Sequence, residues 1–155
     1  LKLEDNLRYY SKEHENLSYT GLVIFKNNYF FGSGVKTHYQ ECMRLKKDKW
    51  EIRTNKRGNY LACSTHAHNT YVQLLSEIGI FGFLLIIYLF FKVTYDNLKI
   101  LFYKKKSYFD KAYFYINLSI IINLMPLIPS GSFFNNWMSL IMFFPLGFWL
   151  YIRNK

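Results

Sequence analysis

Residues 63–92 read CSTHAHNTYVQLLSEIGIFGFLLIIYLFFK, and the architecture of the chain follows from this stretch. Its first seven residues are polar or small, whereas most of the later ones are apolar. Thr70 followed by Gln73 fits the reciprocal pattern in which two side chains cap the first turn of a helix. A helix from Thr70 to Lys92 would be about 34 Å long at 1.5 Å per residue, slightly more than a hydrocarbon core of about 30 Å. The stretch therefore predicts polar side chains at the start of a membrane-spanning helix.

Two candidate site residues, His68 and Asn69, stand at the start of this predicted helix. Unpaired backbone N–H groups and the positive end of the helix dipole favour a phosphate or a developing oxyanion there. Because the positive dipole end disfavours imidazolium, His68 is suited to remove a proton from an attacking hydroxyl near pH 7. The alternative is that His68 is only a polar residue that helps to start the helix.

Three apolar blocks account for much of the C-terminal half, although a mean hydropathy of −0.04 for the whole chain hides them. They run from Ile78 to Phe91, from Ala112 to Ile128 and from Trp137 to Ile152. These blocks predict an all-α polytopic membrane protein in which a mostly helical or irregular segment is followed by three transmembrane helices. The alternative is a soluble protein with three buried helices, but 21% aromatic residues leave few polar faces to cover so small a core.

The basic residues predict the orientation of these helices. Lysines 104–106 lie between the first two blocks, and Arg153 and Lys155 follow the third, so both places are expected in the cytoplasm. Residues 1–69 then form a periplasmic segment with the candidate active site, and residues 70–155 form the three-helix transmembrane region. Because Leu1 is not a methionine and no signal peptide precedes the basic outward segment, we expect a C-terminal fragment of a longer multi-pass protein of the bacterial inner membrane.

The two cysteines, Cys42 and Cys63, both fall in the proposed periplasmic segment. Oxidation is the default there, and a disulfide between them would close a loop of roughly twenty residues and contribute on the order of 3 kcal/mol. The alternative is a zinc site formed by these cysteines with His66 and His68, although the spacing lacks the usual ligand pairs.

Several stretches resemble, in order, the bacterial O-antigen ligase and O-antigen polymerase family. Residues 68–82, HNTYVQLLSEIGIFG, resemble the family's His-Asn motif and the Gly-x-x-Gly helix that follows it. FGSGVK at 31–36 is similar to its glycine-rich turn, CSTH at 63–66 to the lead-in of one subgroup, and PSGSFFNNW at 129–137 to its late periplasmic loop. The resemblance extends from about His14 to the last helix.

This resemblance implies a glycosyltransferase whose donor is a glycan on undecaprenyl diphosphate and which needs no metal or other cofactor. His68 matches the family's essential histidine, and family members use arginines to hold the diphosphate. Arg8 lies at about the right place for one such arginine. Where the subgroup carries Phe-Arg soon after the turn, this chain has residues 38–40, HYQ, which leaves Lys36 or Arg44 as substitutes.

The predicted site assigns a role to each of these residues. His68 is the general base and Asn69 orients it or the acceptor. Arg8, Lys36 or Arg44 binds the diphosphate. Three further residues are expected to support these groups from outside the contacts with substrate. His66 would align His68, and Gln73 and Glu77 share one helix face. For Glu77, an interfacial glutamate that points into the helix bundle is the alternative.

The predicted partners are the lipid-linked glycan, a glycan acceptor and membrane lipid, and nucleic acid is not expected. The acceptor is lipid A-core for a ligase or another lipid-linked repeat for a polymerase. The alternatives are transfer to a protein hydroxyl by a protein O-oligosaccharyltransferase of the same family, and a non-enzymatic membrane subunit of a polysaccharide export system whose basic segment binds anionic headgroups.

Overall fold

The computed structural model describes residues 11–47, 60–102, 108–125 and 131–153, and its regular structure within these ranges is entirely helical. The predicted all-α class is therefore confirmed for the described residues. The helices, in chain order, are α1 (Lys12–Asn27), α2 (His38–Lys47), α3 (Thr70–Phe102), α4 (Tyr108–Asn123) and α5 (Asn136–Arg153).

The N-terminal helices α1 and α2 pack beside the start of α3. Helix α1 begins after Ser11, whose Oγ accepts a hydrogen bond from the backbone N–H of His14 (3.4 Å). One face of α1 packs against α3, and another contacts α2. Between α1, α2 and the segment before α3 lies a small apolar core made of Val23, Ile24, Cys42, Leu45 and Leu61.

Helix α3 begins at Thr70 as predicted, but its cap is Asn69 and not the predicted pair Thr70 and Gln73. The Asn69 Oδ1 accepts hydrogen bonds from the backbone N–H groups of Tyr71 (3.0 Å) and Val72 (3.1 Å). Gln73 turns into the protein interior and bonds elsewhere, so it does not close a capping box.

Helix α3 contains a break at Gly79, whose φ of 69° and ψ of −170° lie far from helical values. Only glycine adopts this backbone conformation readily. A Cβ at Gly79 would lie 2.3 Å from the carbonyl oxygen of Phe30, and a Cβ at Gly32 would lie 2.3 Å from the carbonyl carbon of Glu77. The two glycines therefore allow the chain at 29–34, which we call the aromatic loop, to contact the broken helix backbone to backbone.

Three backbone hydrogen bonds join the aromatic loop to the two sides of the break. They use N–H and C=O groups that an unbroken α3 would pair within itself. The bonds run from Ser33 N to Ser76 O (2.9 Å), from Gly34 N to Glu77 O (3.0 Å) and from Ile80 N to Tyr29 O (3.0 Å).

The prediction of three transmembrane helices is not supported. Among the described residues, only α3 is long and apolar enough to cross a membrane. Helix α4 has 16 residues, and at 1.5 Å per residue it reaches about 24 Å, short of a core of about 30 Å. Helix α5 has 18 residues and ends in Arg153, and it reaches about 27 Å.

The apolar side chains of α3 do not form the buried helix that the soluble alternative expects. Only 28% of its most apolar window is buried. Large apolar residues are exposed from Phe81 to Phe102, whereas most residues from Thr70 to Glu77 are buried. An apolar surface of this extent indicates a membrane or an interaction surface. Helix α4 packs against both α3 and α5, and the three helices share an apolar core that includes Ile86, Val93 and Trp149.

Candidate functional site

All four histidines of the chain lie around the segment that precedes α3. The rings of His66 and His68 stack with centroids 4.1 Å apart, and the ring of His14 meets His68 edge-on at 5.6 Å. His38 is buried, and its Nδ1 lies 3.1 Å from the carbonyl oxygen of Ser64. Burial lowers the pKa of His38, and His68 is near enough for its charge to lower the pKa of His38 further. We call these four residues the histidine cluster.

His68 is held in an unusual backbone conformation, with φ of 53°. Residues other than glycine enter this left-handed region rarely and at a cost in free energy, and such strain concentrates at functional sites. Burial lowers the pKa of the His68 imidazole from its usual 6.5, and repulsion from His14 lowers it further. The neutral form, which can accept a proton, is therefore the form favoured near pH 7.

A second feature of the site is the turn at Lys36, which also has a positive φ, 62°. The backbone N–H of Lys36 donates a hydrogen bond of 2.8 Å to Oε2 of Glu77. Glu77 is only 1% exposed. The Glu77 carboxyl group therefore holds the turn from inside the protein. This agrees with the alternative in which Glu77 points into the helix bundle, and it also places Glu77 in contact with the candidate cation residue Lys36.

Gln73 links Glu77 to the chain before α5. Its Nε2 donates to Glu77 Oε1 (3.3 Å) and to Ser132 Oγ (3.1 Å). Its Oε1 accepts a hydrogen bond from the backbone N–H of Phe133 (2.9 Å). Because Gln73 and Glu77 are both buried, this pair connects the Lys36 turn, α3 and the loop at 131–135 through hydrogen bonds shielded from water.

A cavity of about 510 Å³ lies between the Lys36 turn and the start of α5. Every residue of its described lining has a polar group in its side chain, and we call it the polar cavity. The lining residues are Lys36, Tyr39, Gln40, Thr65, Ser132, Asn135 and Asn136.

Contacts lead from the polar cavity to His68. Thr65 Oγ1 on the cavity wall is 3.0 Å from Nδ1 of His66, whose ring stacks on His68. His68 is not among the described lining residues of the polar cavity, whereas the cation candidate Lys36 is, so the described contacts connect the two candidates only indirectly, through Thr65 and His66.

The three predicted diphosphate cations differ in position. Lys36 lines the polar cavity. Arg44 lies on the surface of α2 and pairs with Glu41, with Nη2 2.7 Å from Oε2, and it is not among the described residues of the cavity. Arg8 lies outside the described residues.

Cys42 and Cys63 are joined by a disulfide with an S–S distance of 2.07 Å and a Cα–Cα distance of 5.4 Å. The bond ties α2 to the segment that carries the histidine cluster. Because both sulfurs are in the disulfide, they cannot act as zinc thiolates, which contradicts the alternative of a Cys2His2 zinc site. Within the described residues, no group of three or more His, Cys, Asp or Glu side chains is arranged to hold a metal ion.

Several residues of the site were missed by the sequence analysis. His14 and His38 reach the histidine cluster from α1 and α2, far upstream of the HAH segment. Asn135 and Asn136 reach the polar cavity from the far side of α4. For Asn135 and Asn136, the sequence signal was the resemblance of residues 129–137 to a late periplasmic loop, which would place them on the same side of the membrane as residues 1–69 but does not predict contacts.

Comparison with known protein families gives a match over about half of the chain. The family model described as O-Antigen ligase matches residues 15–87. That range contains most of α1, all of α2, the histidines at 38, 66 and 68, the Lys36 turn and the first half of α3 with its break. No curated protein and no solved structure matches the chain significantly.

Proposed function

We propose that the chain, in which residues 15–87 match the O-Antigen ligase family model, is a metal-independent membrane glycosyltransferase. Its donor is an oligo- or polysaccharide linked through diphosphate to undecaprenol, and its acceptor is lipid A-core or another lipid-linked repeat. The observation that carries the proposal is that His68, a histidine of lowered pKa in a strained backbone, is connected through His66 and Thr65 to a cavity that Lys36 lines.

The proposed reaction is a group transfer from a phosphate leaving group. An acceptor hydroxyl oxygen attacks the anomeric carbon of the donor, and the bond from that carbon to the diphosphate oxygen breaks with its electron pair remaining on the diphosphate. His68 takes the proton of the hydroxyl. The Lys36 ammonium stabilises the charge on the diphosphate. Lys36 is preferred to Arg44 because Arg44 is already paired with Glu41, and Arg8 stays a further candidate cation.

Asn69 acts on His68 through the backbone in this proposal. Its side chain caps α3, which holds the residue before it in the left-handed conformation. His66 keeps the ring of His68 in place by stacking. Both residues therefore align the base, and neither needs to contact the glycan.

We further propose that the site lies at the periplasmic surface of the inner membrane in a multi-pass protein. Exposed apolar side chains of α3 begin at Phe81, just after the break. Phe30 and Phe31 of the aromatic loop lie against Phe81, with ring centroids at 6.1 and 5.7 Å, and Phe31 is 79% exposed. Aromatic rings of this kind concentrate at the membrane interface, so the break and the Lys36 turn above it would sit at headgroup level.

A transfer assay tests the function. The full-length protein in lipid nanodiscs, given an undecaprenyl-diphosphate-linked oligosaccharide and EDTA, should move the glycan to lipid A-core or to a second lipid-linked repeat. Separate reactions with each acceptor and with a serine-containing acceptor protein distinguish ligase, polymerase and protein glycosyltransferase. Release of no undecaprenyl diphosphate with any acceptor would favour a non-enzymatic subunit and contradict the proposal.

Cysteine labelling tests the orientation. A cysteine at Gly131, where an added Cβ meets only Met138 at 3.7 Å or more, should react in intact cells with a membrane-impermeant maleimide. A cysteine at Ser107, beside lysines 104–106, should react only after the inner membrane is permeabilised. Cys42 and Cys63 are joined in a disulfide and therefore do not react with the maleimide. The reverse labelling pattern would contradict a periplasmic site.

A further inference from the structure

We infer that the polar cavity is the subsite for the first sugar of the donor glycan, the one bonded to the diphosphate, and that Asn136 and Tyr39 read this sugar. The inference rests on the proposed function, which supplies a glycan donor but no place for its sugar. It assigns a ligand class, a neutral or anionic hexose, to a cavity that His68 does not line.

The chemistry of the lining fits a sugar. Seven residues supply amide, hydroxyl and phenol groups with one ammonium, and the described lining contains no carboxylate. Amides and hydroxyls both donate and accept hydrogen bonds, which matches the hydroxyls of a pyranose. The absence of a carboxylate from this lining disfavours a cationic amino sugar, and the volume of about 510 Å³ is that of a site for a small ligand.

The lining residues divide into those that build the cavity and those that are available to a ligand. Asn135 Oδ1 caps α5 by accepting from the backbone N–H of Trp137 (3.2 Å), and Ser132 Oγ accepts from Gln73. The side chains of Asn136 and Tyr39 make no hydrogen bond within the described part of the chain, and both are exposed at the cavity. The Asn136 amide and the Tyr39 hydroxyl are therefore available to form hydrogen bonds with a ligand, and the Tyr39 ring can pack against the apolar face of a sugar.

Gln73 and Glu77, which are buried behind the polar cavity, hold its walls in position. Glu77 holds the Lys36 turn, and Gln73 holds the loop that leads to Asn136. Binding therefore needs little reordering of the walls, which favours affinity. These two buried residues are positioning residues for the subsite, and neither lines it.

The order of groups along the site agrees with the order of groups in the donor. Lys36, the candidate for the diphosphate, belongs to the same cavity as Asn136 and Tyr39. Thr65, also in this lining, leads through His66 to the base His68. A sugar in the cavity would thus have its diphosphate at Lys36 and would lie next to Thr65, from which contacts lead through His66 to the base His68.

Binding to two kinds of probe tests this inference in the full-length protein in nanodiscs. One probe is undecaprenyl diphosphate without a sugar, and the other carries a single hexose or a single N-acetylhexosamine. The wild type should bind at least one sugar-bearing probe about tenfold more tightly than the bare lipid, since each hydrogen bond to a sugar hydroxyl contributes about threefold to tenfold. Asn136→Ala and Tyr39→Ala should each lose most of this gain and bind the bare lipid within about twofold of wild type.

The matched control is Asn123→Ala on α4, whose Nδ2 bonds to the carbonyl oxygen of Ser119 (2.9 Å) away from the cavity; it should keep the whole gain. Equal affinity of the wild type for bare and sugar-bearing lipids would overturn the subsite while leaving the proposed donor intact. Failure to bind either lipid would instead overturn the proposed function and the inference with it. Loss of bare-lipid binding in Asn136→Ala would contradict a role in reading the sugar.

Discussion

Replacing His68 with alanine should abolish glycan transfer while the amount of protein in the membrane stays unchanged. Removal of a general base costs about 10²- to 10⁴-fold in rate. His68 has a positive φ, so the backbone as well as the imidazole must be controlled for. His68→Asn provides this control, because asparagine tolerates the left-handed region but cannot act as a base near pH 7.

The two variants separate chemistry from structure. Both should be inactive, and His68→Asn should keep the melting temperature of the wild type. Activity in His68→Asn together with inactivity in His68→Ala would assign His68 a backbone role only. Full activity of His68→Ala would remove the catalytic assignment, whereas His66→Ala, which removes the stacked ring and its contact with Thr65 but not the base, should retain measurable transfer.

The same assay at different pH values reports the protonation of His68. Because burial and then His14 lower its pKa from 6.5, His68 stays neutral down to a pH below 6.5, and the rate should fall only as the pH drops through the lowered value. His14→Gln removes the smaller of the two causes, so the acid limb of the profile should move to higher pH without reaching that of a free imidazole. An acid limb that does not move would mean that His14 has no electrostatic influence on the base.

Gly79→Ala should destabilise the protein more than any other glycine-to-alanine change in the described part of α3. The backbone conformation at φ 69° and ψ −170° is strained for alanine, and its Cβ would lie 2.3 Å from the carbonyl oxygen of Phe30. Relief requires the aromatic loop to leave the break, which exposes its backbone hydrogen-bonding groups. We expect a loss of about 3 kcal/mol or more in unfolding free energy, read as a lower apparent melting temperature in detergent.

A change of the same kind elsewhere serves as the control. Gly147 lies inside α5, and a Cβ added there meets nothing within 4 Å. Gly147→Ala should leave the melting temperature unchanged or raise it, since alanine favours a helix over glycine by about 0.5–1 kcal/mol. A Gly79→Ala protein that melts with the wild type would show that the contact between the aromatic loop and the break is dispensable.

The start of α3, next to the candidate site, was readable from the sequence because the relevant signals are local. The change from polar to apolar residues near Thr70 marked the start of α3, and the structure begins the helix there. The capping residue was misassigned because asparagine at 69 and threonine at 70 are both good caps. Sequence did not indicate that Gln73 would be drawn inward to Ser132 and Phe133, since those partners lie about sixty residues away.

The prediction of three spanning helices shows a limit of composition. The apolar blocks are real, and each coincides in part with a described helix. Whether a block spans a membrane depends on the length of the helix, however, and α4 and α5 are short or polar at their ends within the described residues. Apolar periodicity reports which residues avoid water and does not report where backbone hydrogen bonding stops.

By itself, then, the sequence determined the helical class, the start of α3, the pair of candidate residues His68 and Asn69 before it, and the family motif around them. All of these depend on neighbours within a few residues along the chain. Only the tertiary structure decided that His14 and His38 join the histidine cluster, that Gly32 and Gly79 let the aromatic loop replace the missing hydrogen bonds of α3, and that Lys36 and Asn136 share one cavity. These contacts join segments that are distant in the chain, and they are made by backbone groups and buried amides. Because every sequence contains such groups, their pairing is decided only when folding brings particular ones together.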